Sequence, residues 1–244
     1  EKLNQTEFTQ PALMAADIAM WRIYCDANSD RPALLAGHSL GEFVALVAAG
    51  PMEYTDAVKL VADRGRFMQA AVPEGEGAMA AIIGLEDDKV AAVCEQVANG
   101  DVVSPANFNS VGQVVIAGQA AAVDRAIDQA KAEGAKIAKR IPVSVPSHCA
   151  LMQPAADQLA QSLTHIKINK PEIPVIQNVD AKVHEDPAEI RDNLVKQLIS
   201  PVRWVDTVFY MQLQAITQIT ECGPGKVLQG LIKRISREFE LAGV

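Results

Sequence analysis

An α/β fold is predicted for this chain of 244 residues, on three observations. Short runs rich in Val, Ile, Leu and Ala alternate with longer stretches whose apolar residues recur at helical spacing. One such run, Ala33-Leu34-Leu35-Ala36, leads straight into a glycine-flanked turn and a small-sided helix. Between residues 75 and 143 the order strand-helix-strand-strand-helix-strand is complete in itself. Strands alternating with helices imply a largely parallel sheet covered on both faces.

Taken in order, Leu13, Ile18, Ala19 and Tyr24 mark a helix over residues 5–25, ending about Asp26. An α/β domain ordinarily begins with a core strand, so a segment upstream of this helix is expected. A loop rich in Asn, Ser, Asp and Pro precedes the strand Ala33–Ala36, and Glu42–Ala49 and Thr55–Ala71 are the next two helices. Gly77–Gly84 is then a strand, Glu86–Val97 a helix, and Asp101–Asn107 and Gln113–Ala117 are two strands joined through Asn109, Ser110 and Gly112. The helix Ala120–Glu133 and the strand Ala135–Val143 complete a ferredoxin-like βαββαβ subdomain over 75–143, inserted into a large catalytic unit made of 1–74 and 144–244. That unit resumes with the extended Pro142–Pro146 and the helix Met152–Leu163. The strand Ile173–Val179, the helices Ala188–Leu198 and Val205–Gln214, the buried strand Gln218–Cys222 and a closing helix Val227–Phe239 follow.

Composition narrows the function. With 49% apolar and 21% charged residues the chain can bury a real core, and no apolar run reaches the roughly 18 residues of a membrane span. The opening EKLNQTEFTQPAL lacks an apolar stretch behind a basic start, so no signal peptide and a cytoplasmic location are expected. Cys25, Cys94, Cys149 and Cys222 are scattered without metal-ligand spacing, which predicts four free, buried thiols and no metal. A net charge of −8 argues against nucleic acid as a partner. GPGKVL at 223–228 lacks the phosphate-loop frame, since Val227 follows the lysine, and reads as a tight strand-to-helix turn.

The strongest chemical signal is G-x-S-x-G at 37–41. A serine on a sharp strand-to-helix turn presents its hydroxyl above the sheet, the elbow of a hydrolase-like core. The competing reading is a turn whose Ser39 merely caps a helix; the strand before it and the small-sided helix after it weigh for a nucleophile. Leu40, the next residue, can offer its N–H to a developing oxyanion. A serine needs a base, and four histidines exist. His38 adjoins Ser39 and points elsewhere, while His165 and His184 read as surface residues. His148, after an extended run at the carboxyl edge of the sheet, remains as base or as a structural residue. Arg64 lies mid-helix in ADRGRFMQ, where it reads as a surface charge from the residues alone, although a guanidinium there can also grip a carboxylate.

GHSLGE at 37–42, DRG at 63–65, VPSH at 145–148, TQPAL at 9–13, NFN at 107–109 and ECGPGKVL at 221–228 together resemble the malonyl-CoA:acyl carrier protein transacylases. The resemblance runs in order over nearly the whole chain. It implies a nucleophilic Ser39, a base His148 and, in KQLISPV, a Gln197 whose main-chain carbonyl orients that base. It also implies an Arg64 that holds the malonyl carboxylate, a Gln10 close to the active site and a Leu40 oxyanion donor. Ser147 fits malonyl-selective members. Malonyl-CoA and acyl carrier protein are the implied partners, with no cofactor and a monomeric enzyme. The family pattern opens with a strand and a GQGxQ motif that this sequence does not contain. Two other readings are a serine esterase or thioesterase with the same elbow, and a truncated, inactive fragment. An acidic carrier would seek basic clusters, for which Lys136, Lys139 and Arg140, and Lys226, Lys233 and Arg234, are candidates.

Overall fold

A computed structural model describes residues 2–244 and has the α/β class expected. Helix α1 (Thr6–Ala27) packs along α3 (Tyr54–Ala71). The two backbones touch at Gly65, where an added Cβ would stand 2.6 Å from the Glu7 Cα and 2.7 Å from the Thr6 carbonyl oxygen. That approach places Gln10 beside Arg64, the next residue to Gly65, with both side chains buried. The helix α2 (Leu40–Ala48) is apolar on nearly all sides because it is covered all round. Its Phe43 and Leu46 join Met14, Leu60, Met152 and Leu159 in the main core.

The sheet of the large unit differs from the expected continuous one. Strand β1 (Leu35–Ala36) pairs only with β6 (Val175–Ile176), in parallel, and β7 (Gln218–Glu221) pairs in parallel with β8 (Glu240–Gly243). Between the two ladders runs a groove of about 450 Å³ whose walls include Leu34, Ala36, Trp204, Ile219 and Ile232. Each ladder is short: the strand expected over 173–179 keeps two residues, and β7 and β8 have four each. The strand at 218–221 is half-exposed, with Gln218 and Thr220 facing outward. The expected closing helix also ends early. Helix α9 (Val227–Ile235) stops at an extended Ser236, and Phe239 and Leu241 then follow the two-residue period of a strand. Phe239 is buried against Trp204 and Ile232, which fixes β8 beside β7.

In the stretch 77–140, β2 (Gly77–Ile83), α4 (Asp87–Val97), β3 (Val103–Ser110), β4 (Gln113–Gln119), α5 (Ala120–Ala132) and β5 (Ile137–Arg140) follow one another. The strand order is β3-β4-β2-β5, with every neighbouring pair antiparallel. One face buries Ala80, Ile82 and Ile116 against Val90, Val93 and Val123 of the helices. The opposite face carries Met79, Val115 and Ala117, which pack on Cys149 of the large unit. The sheet therefore serves as a backing for the segment that carries His148.

After α6 (Gln153–Leu163), α7 (Pro187–Lys196) starts with an Asp186 side chain accepting from the Ala188 N–H and with Pro187 at its first position. It runs into a single tight turn, Gln197–Ile199, before α8 (Trp204–Leu213). Among the described residues no helix is long and apolar enough to cross a membrane.

Candidate active site

β1 delivers the chain to Gly37, and the turn to α2 begins there. A Cβ at Gly37 would lie 1.9 Å from the carbonyl carbon of Gly41, so only glycine lets the turn close. A Cβ at Gly41 would meet nothing within 4 Å, so the second glycine of the pattern is not demanded by packing. Ser39 sits at φ 53°, ψ −106°, a sparsely populated conformation that costs about 1–3 kcal/mol and persists only where surroundings hold it. Asn178, just beyond β6, supplies the hold. Its Oδ1 accepts from the Ser39 N–H at 2.7 Å, and its Nδ2 donates to the Gly37 carbonyl at 2.7 Å. Leu40 opens α2, and its N–H, at the first helical position, has no acceptor within the helix, while those of Gly41 and Glu42 donate to the His38 and Ser39 carbonyls.

His148 stands 109 positions from Ser39 and meets it, with Nε2 2.8 Å from Oγ. Its Nδ1 lies 2.7 Å from the Gln197 main-chain oxygen. A carbonyl only accepts, so Nδ1 carries the proton and Nε2 presents its lone pair to the serine hydroxyl. Burial, then the Arg64 cation, push the His148 pKa down to about 3, with His38 adding to the fall. The imidazole is thus neutral at neutral pH, the state a base requires.

Arg64 is 1% exposed, which overturns its reading as a surface charge; its neighbour Arg66 is the exposed one, paired with Asp63 at 2.7 Å. One terminal nitrogen of Arg64 donates to Gln10 Oε1 at 2.7 Å. The other donates to Gln197 Oε1 at 2.9 Å and reaches Ser39 Oγ at 3.2 Å. The guanidinium lies 5.2 Å from the Phe43 ring centroid, and its buried Nε finds no partner among the described residues. Burial lowers the Arg64 pKa to about 10 while the Glu42 charge opposes the fall, so the group stays cationic. Gln10 is anchored in turn by Thr6 Oγ1 at 2.8 Å.

The other histidines are occupied elsewhere. His38 Nε2 is 2.8 Å from Asn109 Oδ1 and its ring lies 5.7 Å from that of Trp204. His165 is exposed, and His184, half-buried rather than fully solvated, is held by Asp180 at 2.8 Å and Glu189 at 3.1 Å. Among the described residues no group of three or more His, Cys, Asp or Glu side chains could hold a metal.

Sequence reasoning gave no role to Glu42, Gln177, Asn178 or Asn109, all of which bond to the site. For Glu42 a signal existed. In the helix LGEFVALVA it is the one charged residue, and a lone carboxylate in an apolar helix must be satisfied by something.

The acyl transferase domain family matches residues 1–237. The chain is 57% identical to the malonyl CoA-acyl carrier protein transacylase of Escherichia coli K12 over 235 residues, covering 96% of this chain and 76% of that protein. With the Bacillus subtilis enzyme of the same name the identity is 43% over 245 residues, covering 100% of this chain and 77% of that protein. Among solved structures, an acyl carrier protein S-malonyltransferase from Vibrio cholerae superposes with a TM-score of 0.98 at 56% identity, over 100% of this chain and 79% of that one. A malonyl-transacylase solved in complex with a type II polyketide acyl carrier protein gives 0.97 at 52%, over 99% and 78%. On these grounds the chain belongs to the acyl transferase domain family, among the malonyl CoA-acyl carrier protein transacylases.

Proposed function

We propose that this protein moves a malonyl group from malonyl-CoA to the phosphopantetheine thiol of an acyl carrier protein, through a malonyl ester on Ser39. The observation that carries the reading is the chain of contacts from Gln197 through His148 to Ser39, with the Arg64 cation within reach of the same oxygen. In the first half-reaction His148 Nε2 takes the Ser39 proton as Oγ attacks the thioester carbonyl. The tetrahedral oxyanion lies against the Leu40 N–H. As the carbon–sulfur bond breaks, His148 returns its proton to the coenzyme A sulfur. In the second half-reaction the carrier thiol gives its proton to His148 and attacks the ester, and Ser39 Oγ leaves with that proton. Gln197 fixes the tautomer throughout, and Gln10 holds Arg64 beside Ser39.

Arg64 gives substrate choice. A malonyl carboxylate satisfies a buried cation that already has one free N–H, whereas an acetyl group leaves it without an anion. Incubation with malonyl-CoA followed by intact-mass measurement is expected to show one malonyl adduct, absent in Ser39→Ala. An unlabelled wild type would end this reading. Hydrolysis of the adduct in water outpacing transfer to a carrier thiol would return the esterase reading.

The finer architecture belongs to the same proposal. The strand order β3-β4-β2-β5 supports a ferredoxin-like subdomain over 75–143, and the elbow supports a hydrolase-like large domain over 1–74 and 144–244. A monomer acting in the cytoplasm belongs to the same proposal, in keeping with the lack, among the described residues, of a helix long and apolar enough to cross a membrane. For carrier docking, Arg140 is paired bidentately with Asp124 at 2.7 Å, so Lys136, Lys139, Lys226, Lys233 and Arg234 are the cations that carry the proposal.

A further inference from the structure

Glu42 is fully buried three residues after the nucleophile, and each hydrogen-bond partner of its carboxylate is a donor. Its Oε1 accepts from Gln177 Nε2 at 2.9 Å. Its Oε2 accepts from the Asn178 main-chain N–H at 2.8 Å and from Gln197 Nε2 at 2.9 Å. A protonated carboxyl would set an O–H against one of these N–H groups, so the arrangement demands the carboxylate. Burial pushes the Glu42 carboxyl upward, and the three N–H donors and the Arg64 cation pull it back.

The partners matter more than the burial, because two of them grip the reacting groups. Asn178 holds the Ser39 N–H and the Gly37 carbonyl. Gln197 is used at three points. Its main-chain oxygen fixes His148 Nδ1, its Oε1 accepts from Arg64, and its Nε2 donates to the Ser39 carbonyl at 3.0 Å as well as to Glu42. An amide has one acceptor end and one donor end. The carboxylate, able only to accept, therefore decides which end of Gln197 faces Arg64.

We infer that Glu42 is a positioning residue of the transfer reaction. Its carboxylate ties the elbow helix, the turn after β6 and the turn after α7 into one unit, and so keeps Ser39, His148 and Arg64 in mutual register. The inference rests on the reading of Ser39 as the acylated nucleophile. It assigns Glu42 no contact with substrate and no proton transfer.

Glu42→Gln keeps the shape and removes the charge; Glu42→Ala removes both. Steady-state transfer from malonyl-CoA is measured for each, with folding checked by thermal melting and with nitrogen-15 NMR of His148. For either folded variant kcat is expected to fall roughly 10–100-fold, the range seen when a group that orients a working side chain is lost. KM for malonyl-CoA is expected to rise as well, because Glu42 also sets, through Gln197, the register of the Arg64 that holds the substrate carboxylate. The His148 spectrum should lose the pure Nδ1–H form of the wild type, a change that a purely structural role would not produce. If Glu42→Ala fails to fold, Glu42→Gln carries the test alone. A folded Glu42→Gln with wild-type kcat and an unaltered His148 spectrum overturns the inference. A wild type that forms no Ser39 adduct removes the proposed function instead, so the two failures are distinguishable.

Discussion

Replacement of Arg64 tests the link between burial and substrate choice most directly. The guanidinium is 1% exposed, remains charged with a pKa of about 10, and has its Nε–H unused. A malonyl carboxylate bound there would accept two charge-assisted hydrogen bonds, each contributing about 1.5–2 kcal/mol. Their sum, about 3–4 kcal/mol, corresponds to a preference for malonyl over acetyl of roughly 10²–10³-fold at 1.36 kcal/mol per tenfold. Arg64→Ala should erase most of that factor. Its source matters: the malonyl-CoA rate should collapse, while the acetyl-CoA rate should fall far less. The measurement is the rate of Ser39 acylation by each thioester in a rapid-quench experiment, read by intact mass. Loss of the Arg64 donors also leaves Gln10 Oε1 and Gln197 Oε1 without their partner, so some loss of rate common to both substrates is expected. The ratio removes this shared part. A ratio in Arg64→Ala within about threefold of the wild type would refute the reasoning, since two hydrogen bonds of the stated strength cannot cost so little.

Further outcomes follow from the same contacts. The folded His148 pKa lies near 3, below its ordinary 6.5, so between these values the unfolded chain binds the extra proton and stability falls as pH drops. Urea unfolding at pH 7 and pH 4 should therefore show a smaller loss for His148→Asn than for the wild type. In the same window kcat/KM should lack the acid-side inflection near pH 6.5 that an exposed histidine base would give. Gly37→Ala forces a Cβ to 1.9 Å from the Gly41 carbonyl carbon and should abolish Ser39 labelling or folding, whereas Gly41→Ala should fold and melt within a few degrees of the wild type. Gly65→Ala should lower stability by about 1–3 kcal/mol in denaturant titration, as α1 is pushed off α3.

Much of this molecule was legible in the order of its residues, because the signals are local. Repetition at two and at three to four residues separates the β2–β5 strands from α4 and α5, and only the ends shift, by up to three residues. The G-x-S-x-G run marks the elbow because a strained turn restricts which residues can stand in it, and elimination among four histidines left His148. The end of the chain was misread: Val227–Ile235 is so amphipathic that its pattern seemed to run on to Phe239, where the period changes from helix to strand. Helical spacing separates the buried Arg64, on the stripe of Ala57, Leu60, Val61 and Met68, from the exposed Arg66 off it, but a charge on an apolar stripe reads as surface until its partners are known; the motif resemblance placed Arg64 at the site.

What the sequence by itself determined is the kind of nearly every element before Ser236, the elbow that carries Ser39 and a short list of histidines that could serve it, all properties of neighbours along the chain. The tertiary structure decided that α1 and α3 touch at Gly65 and so turn Gln10 and Arg64 inward. It decided too that residues 39, 148 and 197 converge, and that Glu42 finds three donors brought from two distant turns. The physical reason is that a charge inside a protein is tolerated only where its partners are already fixed, and those partners are chosen by packing between segments more than 100 positions apart.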